Sequence, residues 1–393
     1  MKKQLIRLLL FAPVFLFTIS SYVHAEEKKS TARGIELANE ARSAILIERD
    51  TGAVLYEKNA NEKLPPASMT KIMTMLLIME AIDKGELSYK EKVRASEYAA
   101  SMGGSQIFLE PGEEMTVDEL LRGIAIGSGN DASVALAERI AGSEEAFVEM
   151  MNKKAKELGL KNTSFQNATG LPAKGHYSSA HDMAIMAREL LKYEDITKYT
   201  SKYEDYLREN TDKKFWLVNT NRLVKFYPGV DGLKTGFTSE AKYCLTATAK
   251  KNGMRVIAVV FGAPTPKERN AQITRMLDYA FSQYKTHPVL KRNEVVAHAN
   301  VSKGKKKTVA LVTSEPISVL TKKGQSVNKI EKVIKVNKNA KAPIKKGDEL
   351  GVLILKQDGK ELLRSPIVAK ENVAEASWWD LFKRTLQNFT KSA

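Results

Sequence analysis

The chain has 393 residues, 43% hydrophobic and 27% charged, the composition of an ordinary folded protein with room for two or three domains. Its formal net charge of +16 favours anionic partners. Its one cysteine, Cys244, excludes an internal disulfide, so the fold rests on its own core.

Lys2, Lys3 and Arg7 precede an apolar run from Leu8 to Ile19, and Val23-His24-Ala25 supplies small residues before the first acids, Glu26 and Glu27. This is the pattern of a secretory signal peptide cut after Ala25. An uncleaved anchor is the competing explanation, but the apolar run is short of a membrane span. The mature chain then carries +13 and works outside the cytoplasm. Lipid head groups and wall polymers are the available anions there, and nucleic acid is not expected as a partner.

Residues 42–58 alternate as two short strands around Asp50-Thr51-Gly52, a hairpin pattern. A segment opening at Ser68 and running to Ile82 is apolar on nearly every face, which predicts a central, buried helix. Helices are expected at Val117–Ile126, Asn130–Ala141, Glu144–Leu158 and Ser179–Tyr193. Strands are expected at Gly232–Thr235, Tyr243–Ala249 and Arg255–Phe261, followed by a helix over Arg269–Gln283. Cys244 falls within one of these strands, as a packed thiol. Strands at both ends with helices between predict an α/β domain carrying a helical insert.

From about His287 short alternating runs recur at Val295–Ala299, Thr308–Val312, Ile317–Leu320, Lys332–Val336 and Leu350–Leu355. They predict a small all-β domain without a catalytic grouping. On a helical wheel of Ser377–Ala393, Trp378, Leu381, Phe382, Leu386 and Phe389 share one arc, with Trp379 at its edge. Asp380, Lys383, Arg384, Gln387 and Lys391 take the other side. Such a helix suits a membrane interface, or alternatively docks on its own β domain.

Ser68-Met69-Thr70-Lys71 is an S-x-x-K pattern, and the same spacing recurs at Ser239, Ser282, Ser302 and Ser326. Context separates Ser68 from the others. It opens a helix, where free N–H groups and the positive dipole end stabilise developing negative charge. Lys71 lies one turn along the same face, and burial would let its neutral amine accept the serine proton. Ser128-Gly129-Asn130 falls between two expected helices, and Lys234-Thr235-Gly236 on an expected strand. Only Ser68, Ser128 and Lys234 give S-x-x-K, S-x-N and K-T-G in that order, which resembles the set of class A β-lactamases and penicillin-binding proteins. Acyl transfer needs a nucleophile (Ser68), a general base (Lys71), a proton relay (Ser128), a partner for the peptide group (Asn130) and a fixed positive charge (Lys234). A strand bearing Thr235 and Gly236 can also hold an extended peptide by backbone pairing.

Over roughly residues 36–393 the chain resembles the low-molecular-mass penicillin-binding proteins that act as serine D-alanyl-D-alanine carboxypeptidases. The resemblance extends to Pro65-Pro66-Ala67 before Ser68, Asp131-Ala132 after Asn130, Tyr177-Ser178-Ser179-Ala180-His181-Asp182-Met183, and Val230-Asp231-Gly232-Leu233 before Lys234. It implies an oxyanion hole made by the backbone N–H groups of Ser68 and Phe237, and a carboxylate-binding arginine at Arg269. It also implies a transpeptidase-like fold, with an antiparallel sheet and a helical subdomain. A departure is Thr169-Gly170-Leu171, where some members carry His-Gly-Leu, so a histidine tuning deacylation would be absent.

The expected division is a signal peptide over 1–25, a catalytic domain over 26–285, a β-rich domain over 286–371 and an amphipathic anchor helix over 372–393. The expected partners are a peptidoglycan pentapeptide, β-lactam inhibitors and a membrane surface met through the C-terminal helix, with no cofactor. The protein is expected to be exported, and either peripheral on the outer face of the cytoplasmic membrane through that helix or secreted. The lysine-rich β domain and anchor resemble enzymes of Gram-positive spore formers, which leaves cortex and vegetative wall trimming both open. An endopeptidase of the same family would use the same residues, and a non-catalytic wall-binding protein could keep the fold. A class A β-lactamase is disfavoured, because no Leu-Asn pair occurs in the chain. His176 and His181 read as surface or packing residues, and Asp131 and Asp182 as helix N-terminal or buried pairing charges. No H-E-x-x-H or G-x-S-x-G pattern supports a metalloprotease or a hydrolase triad.

Overall fold

The computed structural model describes residues 35–383, apart from 326, 328 and 329. The expected signal peptide and the last ten residues of the expected anchor helix lie outside the described residues.

Strands β1 (Ser43–Glu48) and β2 (Val54–Lys58) form the expected hairpin, and helix α1 (Lys71–Asp83) follows. The helical part contains α2 (Val117–Arg122), α3 (Asn130–Ala141), α4 (Glu144–Glu157) and α5 (Ala180–Leu190). Side-chain caps fix three of these starts: Thr116 for α2, Ser143 for α4 and Ser179 for α5 each accept an N–H from the residue three positions on. Strands β3 (Val230–Thr238), β4 (Lys242–Lys251) and β5 (Met254–Ala263) complete an antiparallel sheet of order β2-β1-β5-β4-β3. Helix α6 (Pro266–Gln283) starts three residues before its expected position, because Thr265 caps it and Pro266 fits its first turn. Two short ribbons, Lys92–Arg94 with Glu114–Thr116 and Glu204–Leu207 with Phe215–Val218, have too few residues to show a sequence period.

The sheet separates two cores, as strand alternation requires. Ile45, Ile47, Ile257 and Val259 face the helical part, whereas Ala44, Leu46, Ala258 and Val260 face α6 through Ile273, Met276 and Leu277. Helix α1 is buried from Lys71 to Ala81 and passes through the first core, which explains its all-round apolar sequence. Cys244 lies in β4, facing that core.

Strand β6 (Tyr284–Leu290) follows α6 directly and pairs with β9 (Ile317–Lys322). The second five-stranded sheet contains β7 (Val295–Asn300), β8 (Thr308–Thr313), β10 (Glu331–Val336), β11 (Glu349–Gln357) and β12 (Lys360–Ala369), in the order β7-β8-β12-β11-β10. Sequence reading missed β6 and β12. Each is interrupted by proline, Pro288 or Pro366, and β12 opens on charged residues. The two domains meet through polar contacts, including Ser318 Oγ donating to Asp50 Oδ2 at 2.6 Å and Arg188 with Glu315 at 3.0 Å.

Candidate active site

Ser68 stands in a short 3-10 turn, Ala67–Thr70, and Lys71 is the first residue of α1. The turn presses against β3 so closely that a Cβ on Gly236 would lie 2.6 Å from the Pro66 carbonyl oxygen. On its other side, a Cβ on Gly170 would lie 1.9 Å from the Ala67 carbonyl oxygen. Ala67 itself holds a φ of 48°, a left-handed value that costs a residue with a Cβ. Two glycines and one strained residue thus fix where Ser68 points.

Lys71 has no solvent exposure. Its Nζ lies 3.2 Å from Ser68 Oγ, 2.6 Å from Asn130 Oδ1 and 2.7 Å from the Thr169 carbonyl oxygen. Burial holds its pKa well below the ordinary lysine value, Lys234 pushes it the same way, and Asp131 partly opposes the shift. Asn130 sits at the start of α3, and its Nδ2 donates to the Gly103 carbonyl at 2.6 Å. Both ends of this amide are therefore held by the protein. Asp131 accepts from the backbone N–H groups of Ile107 and Leu109, which ties the loop before α2 to α3. That is a buried structural pairing, as its position in the sequence suggested.

Ser128 precedes α3 with a φ of 64°. Its hydroxyl is buried and has no hydrogen-bond partner among the described residues. A cleft of about 890 Å³ opens onto Ser68, Ser128, Thr235, Gly236, Phe237 and Arg269. One wall is β3, an edge strand of the sheet. Thr235 Oγ1 donates to Thr220 Oγ1 at 2.7 Å, and the half-exposed Phe237 ring stacks on Tyr243 at 4.4 Å. Lys234 lies buried under the strand, its Nζ 3.2 Å from the Thr235 carbonyl oxygen. Burial first, and Arg269 second, lower its pKa to about 7. Arg269 is 6% exposed, and its guanidinium hydrogen-bonds the side chain of its neighbour Asn270. Burial lowers its pKa to about 10. Two buried basic groups beside a cleft, with no acid paired to either among the described residues, can receive an anion.

Sequence reasoning did not anticipate the Thr169 carbonyl beside Lys71, which residue type does not reveal, or Thr220, which belongs to no motif. His176, expected as a surface or packing residue, is a packed one. His176 is buried, accepts from the Gln166 N–H at Nδ1 (3.1 Å) and lies 2.8 Å from Thr70 Oγ1 at Nε2. It therefore joins both ends of the Thr169 loop to the Ala67–Thr70 turn, and burial lowers its pKa to about 4. His181 is partly exposed beside Asp182, and Asp182 holds Asn162 and Thr163.

The model of the D-alanyl-D-alanine carboxypeptidase family matches residues 27–265, and that of the penicillin-binding protein 5 C-terminal domain matches residues 284–375. The chain is 67% identical over 391 residues to the D-alanyl-D-alanine carboxypeptidase DacF of Bacillus subtilis, covering 100% of each. It is 35% identical to DacC of Escherichia coli, over 96% of this chain and 95% of that protein. Penicillin-binding protein 5 of Haemophilus influenzae superposes with a TM-score of 0.65 at 32% identity, covering 86% of this chain and 98% of that one. Penicillin-binding protein D2 of Listeria monocytogenes, solved in an ampicillin-bound form, superposes with a TM-score of 0.54 at 33% identity, covering 63% and 100%. These matches agree with an antiparallel sheet, a helical subdomain and a trailing β domain arranged about an S-x-x-K turn. The chain belongs to the D-alanyl-D-alanine carboxypeptidase family and is a hydrolase of that activity.

Proposed function

We propose that Ser68 attacks the carbonyl of the penultimate D-alanine of a peptidoglycan pentapeptide, releases the terminal D-alanine, and forms an acyl-enzyme that water hydrolyses. The observation that carries this reading is the environment of Lys71. A neutral amine has two N–H bonds and one lone pair. The Asn130 and Thr169 oxygens are fixed acceptors at 2.6 and 2.7 Å, so they take the two protons and leave the lone pair for the Ser68 hydroxyl. Lys71 then acts as general base, and Asn130 orients it in addition to any contact with the peptide group. The Ser128 hydroxyl, without a partner among the described residues, passes the proton to the departing amine.

The backbone N–H groups of Ser68 and Phe237 bear the oxyanion charge. Arg269 and Lys234 draw in the terminal carboxylate, while Thr235 and Gly236 on β3 lie alongside the peptide. β-Lactams, whose carbonyl and carboxylate present the same two features, acylate the same serine. The ampicillin-bound relative supports this extension. Mass mapping after labelling with a penicillin tests it: the adduct belongs on the peptide carrying Ser68, and an adduct elsewhere overturns the assignment.

Residues 26–285 serve as the catalytic domain, residues 286–371 as a β-rich spacer, and residues 372–393 as an anchor to the outer face of the membrane. Support comes from Trp378, Trp379 and Phe382, which are exposed at 72%, 54% and 40% at the start of that helix. Two stacked tryptophans in water favour an interface. No helix among the described residues is long and apolar enough to cross a membrane. Deleting residues 377–393 should release the exported enzyme from membranes with its activity intact, and retention in the membrane pellet would refute the anchor.

A further inference from the structure

The positive charge of the chain is not spread evenly. Residues 35–283 carry 33 lysines and arginines against 34 acids, whereas residues 284–376 carry 20 against 9. The catalytic part is close to neutral, so the basic character belongs to the β domain.

Part of this charge is bound rigidly to the exposed aromatic helix start. The loop containing Lys303, Lys305, Lys306 and Lys307 runs beside residues 374–376: Lys305 N donates to the Ala374 carbonyl and Ala376 N to the Lys303 carbonyl, both at 2.8 Å. Gly304 fills the crossing, where a Cβ would lie 2.9 Å from Val373 Cγ1. Lys341 joins the same corner through its isolated bridge to Ser302. Ser377, next after Ala376, caps the helix, accepting from Asp380 N at 3.2 Å. Trp378 and Trp379 are therefore held within two or three residues of the lysine loop by backbone hydrogen bonds. Lys383 lies 5.4 Å over the Trp379 ring. The acids of this corner, Glu371 (paired with Lys306), Glu375 and Asp380, number three against the five lysines Lys303, Lys305, Lys306, Lys307 and Lys341.

We infer that the Lys303–Lys307 loop, Lys341 and the Trp378-Trp379 helix start form one interfacial surface, which recognises the anionic head groups of a bilayer. This rests on the reading of the C-terminal end as a membrane anchor and adds its lipid class. The aromatic rings enter the interface, and the lysines, standing beside them at fixed distance, meet lipid phosphates. The two sets reinforce each other, because partial insertion of a few side chains is weak and lysine attraction is screened by salt.

The test uses the full mature enzyme and vesicles of phosphatidylcholine alone or with phosphatidylglycerol, read by co-sedimentation. Wild type should bind the anionic vesicles at least about tenfold more tightly, with the difference falling as salt rises. The triple variant Lys303→Gln, Lys307→Gln, Lys341→Gln should lose about tenfold or more on anionic vesicles. It should keep its binding to neutral ones and its D-alanine release from a soluble peptide. Trp378→Ser with Trp379→Ser should weaken binding to both vesicle types.

Equal binding of the two vesicle types by wild type, or full retention by the triple variant, overturns the inference and leaves the anchor reading standing. Wild type that binds neither vesicle overturns both. Soluble polyglycerol phosphate is the final arm. Binding to it as tight as to vesicles, and unchanged by the tryptophan substitutions, would assign the lysines to wall polymer and overturn the lipid assignment.

Discussion

The Nζ of Lys71 lies 2.7 Å from the main-chain oxygen of Thr169, while the Thr169 hydroxyl turns away to Asn167 Oδ1 at 3.1 Å. Thr169, which stands where the family resemblance would lead to a histidine, thus meets Lys71 through its backbone. Thr169→Val keeps that carbonyl, so acylation by a penicillin should stay within about threefold of wild type, well short of the 100-fold or more lost with a general base. A loss above about tenfold in stopped-flow acylation would place the hydroxyl in the reaction.

Gly170 closes the same wall. A methyl group there would meet the Ala67 oxygen at 1.9 Å, and its φ of +87° is strained for any other residue. Gly170→Ala should cost about 2–4 kcal/mol of stability by combined strain and overpacking. It should also reduce acylation at temperatures where the protein remains folded, as denaturant titration beside penicillin labelling would show.

Lys234 and Arg269 predict a pH-dependent KM. In the free enzyme Lys234 has a pKa of about 7, set by burial and then by Arg269. Below that pH it is already charged. Above it, binding a carboxylate must take up a proton, so KM should rise by up to about tenfold per pH unit. Arg269→Ala removes the second cation, so KM should increase overall while the inflection moves upward. An inflection that stays at the same pH would separate the two groups electrostatically.

His176 bears on stability. Burial lowers its pKa from 6.5 to about 4, so between these values the unfolded chain holds a proton that the folded chain does not. Its neutral form costs nothing above pH 6.5, and stability is lost as the pH falls toward 4. About 2 kcal/mol should disappear between pH 7 and pH 5. Urea titrations of wild type and His176→Gln would reveal it as a pH-dependent difference that the variant lacks.

The sequence made the grouping around Ser68 legible because S-x-x-K, S-x-N and K-T-G each need particular side chains at fixed spacing. Ser68, Lys71 and Asn130 meet by hydrogen bonds, and Ser128, Thr235, Gly236, Phe237 and Arg269 share the cleft. Alternation in β1 and β5 and the all-round apolar α1 made the sheet and central helix equally readable. What escaped has a common cause. The Thr169 carbonyl, the close approach of Gly170 to Ala67 and the His176 clamp on Thr70 depend on a loop about a hundred residues away from Ser68, and no local period encodes them. Strands β6 and β12 escaped because Pro288 and Pro366 interrupt their patterns.

Release of D-alanine from a soluble pentapeptide by wild type and by Ser68→Ala tests the central claim most directly. Wild type should release one D-alanine per peptide, and Ser68→Ala should fall at least about 1,000-fold, as loss of a covalent nucleophile does. Comparable release by Ser68→Ala would contradict the assignment of Ser68 as the residue that carries the acyl group.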